Sequence, residues 1–468
     1  MVLSLVLACA LSQMPALPKV TVVTLSNGMR WVLLPRPNGL RVSGVVMVDS
    51  GAVHERPGEA GVAHFLEHLA FGGTPIVGTR REWRLEAPLL DEVLQLTERH
   101  AAAVAEKGAR SGEAMALETR LISAEQAWEE QGDFRAFLRL YARSGIQHNA
   151  TTSYDVTTYF GDVPAEQLHL WLAAEAQRFA APVFRNFRTE RDVVLQESID
   201  RETATTGASN ALWQLAFGGN RPWNLTGSPA DVRSIRPSTV DAFYSRLSSP
   251  SNAVGALVGD FEVGQAVRWL HETFELIPAR PTAAEVDLTP APPGFRGVTG
   301  TEPWVLVGFQ APASTEARAP AHELAALMFE LQGGPVSGLC VDLASSCSDL
   351  ELFEGPGLAR THLLGVAFDQ RGNGRAAETL ERFFASLQRF KPDDAMLERA
   401  RALAERRRAT ELQTSAGVAR ALAVDLMFTN DWKSALTTRY QEVSLEAVMK
   451  VFEDFTLERS WVVAQETP

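Results

Sequence analysis

The chain has 468 residues, 46% apolar and 22% charged, with a formal net charge of −13. That length exceeds one ordinary core and predicts roughly two to four domains. The composition is that of a soluble globular protein, the acidic balance leaves no basic footprint for nucleic acid, and no G-x-x-x-x-G-K phosphate loop occurs.

In chain order, residues 1–18 (MVLSLVLACALSQMPALP) are apolar but too short to span a bilayer as a helix, so no transmembrane span is expected. The run from Val2 to Leu11 and the small residues from Ala8 to Ser12 have the pattern of a secretory signal, although no Lys or Arg precedes them. Val6-Leu7-Ala8-Cys9 also loosely fits a lipoprotein cleavage box, which would leave Cys9 lipidated. The expectation is an exported chain, periplasmic or in the cell envelope; the alternative is a cytoplasmic chain with a frayed N-terminus. Asn27-Gly28, between the apolar runs Val20–Leu25 and Met29–Leu34, predicts a β-hairpin. Val42–Asp49 predicts another strand.

Next comes GVAHFLEHLAFGGT, Gly61 to Thr74, in which His64, Glu67 and His68 form H-x-x-E-H. Helical positions i and i+4 share a face, so both imidazoles can address one metal ion while Glu67 reaches a water held by it. Three such residues also suit an ordinary surface face. Here, however, Val62, Phe65, Leu66, Leu69 and Phe71 predict a mostly buried helix, where two His and a Glu are costly unless paired or metal-bound. Two His ligands, a carboxylate and an open position make a hydrolytic zinc site, and the inverted order is the inverzincin signature.

Residues 80–144 are Ala-, Leu- and Glu-rich. Leu89, Val93, Leu94 and Leu96, then Leu117, Leu121 and Ala124, predict a helical hairpin broken near Gly108–Gly112. A dimer contact, a lid and an inert insertion all suit it. A strand pair is expected in HNATTSYDVTTYF (His148–Phe160), then an amphipathic helix from Gln167 to Phe179. In TERDVVLQESIDRE (Thr189–Glu202), Glu190 and Glu197 lie two helical turns apart on one face. Glu197 is the candidate third ligand and Glu190 its supporting carboxylate; by spacing alone the segment also fits an ordinary charged helix. Asn252–Gly259 reads as a buried strand and Gly264–Phe274 as a helix.

Pro278–Gly294, with five prolines, reads as a linker. Beyond it, strands are expected at Trp304–Gln310 and Thr361–Phe368, and helices at Ala319–Leu331, Ala376–Phe390 and Asp393–Gln413. The two ends STVDAFYSRLSSPSNAVGALVGD and LEAVMKVFEDFTLERSWVVAQE each run helix, turn, apolar strand, acid, which suggests an internal duplication. The fold class expected is α+β: two homologous α/β-sandwich-like domains with mixed, largely antiparallel sheets, residues 19–277 and 295–468, the first with the helical insertion and the second without H-x-x-E-H. Cys340 and Cys347 fit either a disulfide or two free thiols.

Four stretches together resemble the pitrilysin/insulinase family of zinc peptidases, which includes the mitochondrial processing peptidases: GVAHFLEHLAFGGT, HNATTSYDVTTYF, ERDVVLQE (Glu190–Glu197) and Gly227–Phe261. The resemblance covers most of the first 275 residues. It implies that His64, His68 and Glu197 ligate one zinc ion per chain, that Glu67 is the general base and that Glu190 supports the site. It places Asn149, Ala150 and Thr152 in an edge strand that holds peptide substrate. Two departures stand out. His68 and Glu197 are further apart than in the family, by the length of the helical insertion. The family's later Arg and Tyr, which hold substrate, align with Ala344 and Glu351. The expected activity is therefore a zinc-dependent endopeptidase acting on extended peptides, partnered by a homologous Arg/Tyr-bearing subunit or by its own dimer. The alternative is a non-catalytic structural or peptide-binding subunit of a peptidase complex.

Overall fold

The computed structural model describes residues 19–201, 206–218, 221–283, 286–299, 303–337, 339, 349–355, 360–369, 376–437 and 439–466. The N-terminal apolar segment, Cys340, Ala344 and Cys347 lie outside them. Among the described residues no helix is long and apolar enough to cross a membrane.

Among the described residues, two sheets organise the chain. The first holds β1 (Thr21–Thr24), β2 (Arg30–Pro35), β3 (Arg41–Val48), β4 (Gln147–Thr152), β5 (Thr157–Pro164) and β6 (Ala253–Gly259), in the order β1-β2-β6-β3-β5-β4. β2 and β6 are parallel and the other neighbours antiparallel. The Asn27-Gly28 hairpin forms as expected, pairing Thr24 with Arg30. β6 is buried along its whole length, as its apolar run requires. Gly44 and Gly255 let the indoles of Trp171 and Trp31 lie directly on the sheet: a Cβ at either would come within 2.3 Å of the ring.

The second sheet holds β7 (Gly294–Thr299), β8 (Trp304–Ala311), β9 (Asp349–Gly355), β10 (His362–Asp369) and β11 (Ser460–Glu466), in the order β7-β11-β8-β10-β9. β7 and β11 are parallel and the rest antiparallel. This repeats β2-β6-β3-β5-β4 strand for strand, so the halves are topological copies and the fold is α+β. β7 and β9 had no clear sequence signal. They are edge strands, and β7 (GFRGVT) exposes most of its residues, Phe295 among them.

The helices, in chain order, are α1 (Val62–Leu69), α2 (Trp83–Lys107), α3 (Gly112–Glu129), α4 (Ala136–Arg143), α5 (Leu168–Ala180), α6 (Phe187–Asp200), α7 (Thr206–Phe217), α8 (Pro229–Ser234), α9 (Pro237–Leu247), α10 (Val263–Glu272), α11 (Ala319–Glu330), α12 (Ala376–Arg389), α13 (Asp394–Glu411), α14 (Ser415–Phe428) and α15 (Leu445–Glu453). The α2–α3 pair is the expected hairpin, turning at Gly108 and capped by the Ser111 hydroxyl on Ala114 N–H. α5 and α10 cover one face of the first sheet through Trp171, Leu172 and Leu270, against Trp31 and Leu33. The other face is covered from the far half: α14 packs Val418, Leu422 and Leu426 on Val32, Val45 and Val254. Reciprocally, α7 packs Leu212 and Trp213 on Leu306, Leu363 and Trp461 of the second sheet. Each half thus closes the other's core, and Arg360, just before β10, clasps Asp49 and Asp155 of the first half at 2.6 and 3.0 Å.

Candidate metal centre

α1 is buried on nearly every side, and its start is fixed by a carboxylate. Glu55, itself buried, accepts from the N–H groups of Gly61 (3.1 Å) and Ala63 (3.0 Å), two donors the helix leaves unpaired. Burial holds its pKa well above the usual carboxylate value against those two hydrogen bonds. The helix ends in a 3-10 turn, Ala70–Gly72, followed by Gly73. His64 and His68 stack one turn apart, their rings edge to face at 4.8 Å.

α6 begins at Asn186, which adopts a left-handed conformation (φ 59°), and buries Phe187 and Val194 against Phe65 and Leu69 of α1. This packing turns Glu190 and Glu197 toward the two histidines. Glu197 Oε2 lies 3.5 Å from His64 Nε2, and Glu197 Oε1 lies 3.8 Å from His68 Nε2. Glu190 Oε2 is 3.4 Å from His68 Nδ1. One ligand atom from each of His64, His68 and Glu197 falls within 4.8 Å of the others, the one such group of three found among the described residues. A tetrahedral ion with bonds of about 2.1 Å separates its ligands by about 3.4 Å, so the three residues fit a zinc-sized ion. The donor chemistry agrees: Glu197 Oε2 is buried without a hydrogen bond, although the Arg201 guanidinium forms an ion pair with it at 3.3 Å. Burial, then the neighbouring His68 and Arg201, push the His64 pKa down to about 3, so its ring is neutral, as a ligand must be. Burial also disfavours charge on His68, but the Glu190 hydrogen bond and the Glu197 and Glu67 carboxylates outweigh it and raise its pKa.

Glu67, 9% exposed, points from α1 toward β4, where the Thr152 hydroxyl donates to Oε2 at 2.5 Å. Burial raises the Glu67 pKa, with Glu197 adding to the effect; Thr152, His68 and Arg178 oppose it. A carboxylate lifted toward neutrality beside a candidate metal site is placed to take and return a proton.

β4 is the last strand of its sheet, so its outer edge has no strand partner among the described residues. Asn149 on that edge is exposed, and its carboxamide oxygen accepts from Ala150 N–H at 2.9 Å. Ala150 itself is buried. The fold thus brings His64, Glu67, His68, Glu190, Glu197 and Thr152 together and sets Asn149 and Ala150 along the adjoining edge. The Thr152 side chain engages the carboxylate of Glu67. Glu351 lies on β9, opposite Ala367 in the other sheet.

Sequence reasoning missed Glu55, Thr152 as a partner of Glu67, and Arg178. Arg178 is buried under the site, paired with Glu175, its guanidinium 3.9 Å from the Tyr159 ring centroid and 4.7 Å from that of Phe71. An acidic residue shortly before a glycine-started helix was a usable signal for Glu55; the other two contacts join distant segments and leave no local signature.

A family profile described as Insulinase (Peptidase family M16) matches residues 31–82 and 129–218, and one described as Peptidase M16 inactive domain matches residues 234–403. The first omits residues 83–128, the span of α2 and α3. The probable zinc protease PqqL of Escherichia coli is 23% identical over 269 residues, 55% of this chain and 23% of that protein. The zinc protease PqqE of Helicobacter pylori is 24% identical over 286 residues, 58% of this chain and 51% of that protein. The matches therefore span about half or less of these relatives' lengths. The mitochondrial-processing peptidase subunit beta of Dictyostelium discoideum is 49% identical over 57 residues, 12% of each chain. Among solved structures, a protease from Helicobacter pylori superposes with a TM-score of 0.71 at 19% identity, covering 96% of this chain and 99% of that one. Pitrilysin superposes with 0.68 at 13% identity, covering 97% of this chain and 45% of that one. At such identities the superpositions establish the fold.

Proposed function

The chain belongs to the pitrilysin/insulinase family of peptidases, and from that premise we propose that it is a zinc-dependent endopeptidase cleaving extended peptides or unfolded segments. The observation that carries the proposal is the convergence of His64, His68 and Glu197 within 4.8 Å, with Glu67 beside them. In this reading His64 Nε2, His68 Nε2 and a Glu197 oxygen hold one zinc ion. When bound, zinc supplies a Lewis acid that polarises the scissile carbonyl and lowers the pKa of a water molecule toward neutrality.

Glu67 takes a proton from the water as its oxygen attacks the carbonyl carbon. It then returns that proton to the departing amine nitrogen as the C–N bond breaks. Thr152 fixes the carboxylate by donating to it. Glu190 fixes the His68 ring through Nδ1. The peptide adds as a strand along the outer edge of β4. There Asn149 is exposed and holds Ala150 N–H, so an arriving backbone would exchange with that contact.

The aligned residues Ala344 and Glu351 leave this chain without the family's Arg and Tyr. We therefore propose a homologous partner subunit, or a second copy, that completes the site. Three of the similar proteins are themselves mitochondrial-processing peptidase beta subunits. Ala344 and Glu351 also favour a second reading, a peptide-binding subunit that does not cleave by itself. Export to the periplasm or cell envelope belongs to the same proposal; PqqL, a similar protein, is a periplasmic protease. The test is hydrolysis of an unstructured, quenched-fluorescent peptide library by the zinc-loaded chain and by Glu67→Gln. Cleavage by the wild type alone supports a self-sufficient peptidase. No cleavage by a folded, zinc-loaded chain, with or without a homologous subunit, sinks the enzyme and leaves the binding role.

A further inference from the structure

The inserted hairpin carries one half of a fully buried ion pair. Glu86, on α2, and Arg185, two residues before α6, are both 0% exposed. Arg185 Nε and Nη2 fork onto the two oxygens of Glu86 at 2.5 and 2.9 Å. The remaining donor directions of the guanidinium are also used. Nη1 donates to the carbonyls of Gly72 and Val77, both at 3.1 Å, and Nη2 to the carbonyl of Thr74 and the hydroxyl of Thr79, at 3.0 and 3.1 Å. From α3, Trp128 Nε1 donates to Glu86 Oε1 at 3.0 Å.

Three parts of the chain therefore meet at one guanidinium. Gly72–Thr79 is the loop by which the chain leaves α1, the helix of His64 and His68. Arg185 stands at the entrance to α6, the helix of Glu190 and Glu197. Glu86 and Trp128 belong to residues 83–128, which the family profile omits. On the outer side, α3 also holds α6 directly, through Glu118 and Glu125 on Arg188 at 3.0 and 3.5 Å.

We propose that the hairpin is a brace for the metal centre, and that Arg185 and Glu86 are positioning residues that set the separation of α1 and α6. The proposal rests on the zinc reading above and extends it to a part of the chain that reading leaves without a role. Metal ligands must be held within about 0.5 Å of their working geometry. His64 and His68 reach Glu197 only across the α1–α6 interface. A guanidinium with five fixed donors, all spent on that junction, suits such a joint better than apolar contacts that slide. It also separates this role from the alternatives: a lid or dimer contact would not place its buried charge at the root of both ligand helices.

The test compares wild type, Arg185→Lys and the double variant Glu86→Leu/Arg185→Met. The double variant replaces the buried pair by apolar groups, an exchange that often preserves folding; Lys keeps the charge opposite Glu86 but cannot span the carbonyls. Zinc affinity is read by competition with a chromophoric chelator, and ligand geometry by the visible absorption of the Co(II)-loaded protein. Leu324→Ala, in the core of the second half, controls for lowered stability. The expected result is a 10- to 100-fold loss of zinc affinity in the double variant, a changed Co(II) spectrum, a smaller loss in Arg185→Lys, and wild-type values in Leu324→Ala. If the double variant fails to fold, Arg185→Lys carries the same test. Unchanged affinity and spectrum in a folded variant would overturn the brace while leaving the peptidase reading intact. Wild-type protein that takes up no stoichiometric zinc would overturn both.

Discussion

α1 with α6 and α11 with α13 are the same helix pair built twice, one polar and one apolar at the interface. The sequences Ala63-His-Phe-Leu-Glu-His-Leu-Ala-Phe71 and Ala321-His-Glu-Leu-Ala-Ala-Leu-Met-Phe329 align directly. His64 faces a counterpart in His322, but Glu67 and His68 correspond to Ala325 and Ala326. β6 and β11 begin 207 residues apart, at Ala253 and Ser460; the same offset carries Glu190 and Glu197 to Leu397 and Ala404. Ala325, Leu397 and Ala404 are buried together in the core of the second half. The comparison separates packing from chemistry. The scaffold closes well with alanine and leucine at these places, so the carboxylates and imidazoles of the first half are an addition that packing does not require. His322 is half-buried, and desolvation, then the neighbouring Arg318, push its pKa down to about 4, so it sits there as a neutral ring.

Glu67→Gln removes the one ionisable oxygen that the second half lacks at Ala325, and should lower kcat by about 10³ with zinc retained; full activity would show that another group is the base. Ala325→Glu puts a carboxylate into the apolar copy, with only the neutral His322 one turn away to meet it, and should destabilise the fold by about 3 kcal/mol, seen as a fall in urea midpoint at unchanged slope; an unchanged midpoint would mean that His322 pairs with it or that the second interface is looser than its burial indicates. Glu190→Gln should weaken zinc binding about 10-fold by releasing His68 Nδ1, read by chelator competition.

Thr152→Val should have the smallest effect, a change in pH dependence. Burial raises the Glu67 pKa and the Thr152 hydrogen bond lowers it. Without that donor the carboxyl moves higher still. Because the base must be ionised, the rise of kcat/KM with pH should shift to higher pH. A shift to lower pH would contradict the assigned sign.

The local half of this account was legible in the sequence. Asn27-Gly28 specified a hairpin through its turn chemistry, and His64 and His68 specified a shared face through helical periodicity. Glu197 was harder: seven-residue spacing set it on one face with Glu190, and only the packing of Val194 and Phe187 on α1 turns that face to the histidines. What stayed hidden is what depends on distant partners. α7 and α14 are ordinary apolar helices by sequence, and nothing local says that each covers the other half's sheet. Glu86 reads as one more acid in a charged helix, yet it is fully buried against Arg185, 99 residues on. Edge strands such as β7, with little to bury, leave a weak pattern.

The most direct measurement is zinc content per chain, by mass spectrometry after exhaustive dialysis, for the wild type and His68→Ala. The account predicts one zinc ion in the wild type and close to none in the variant, since the second half offers His322 without Glu67, His68 or Glu197 equivalents. A wild type without zinc, or a folded His68→Ala protein that keeps a full equivalent, would contradict it.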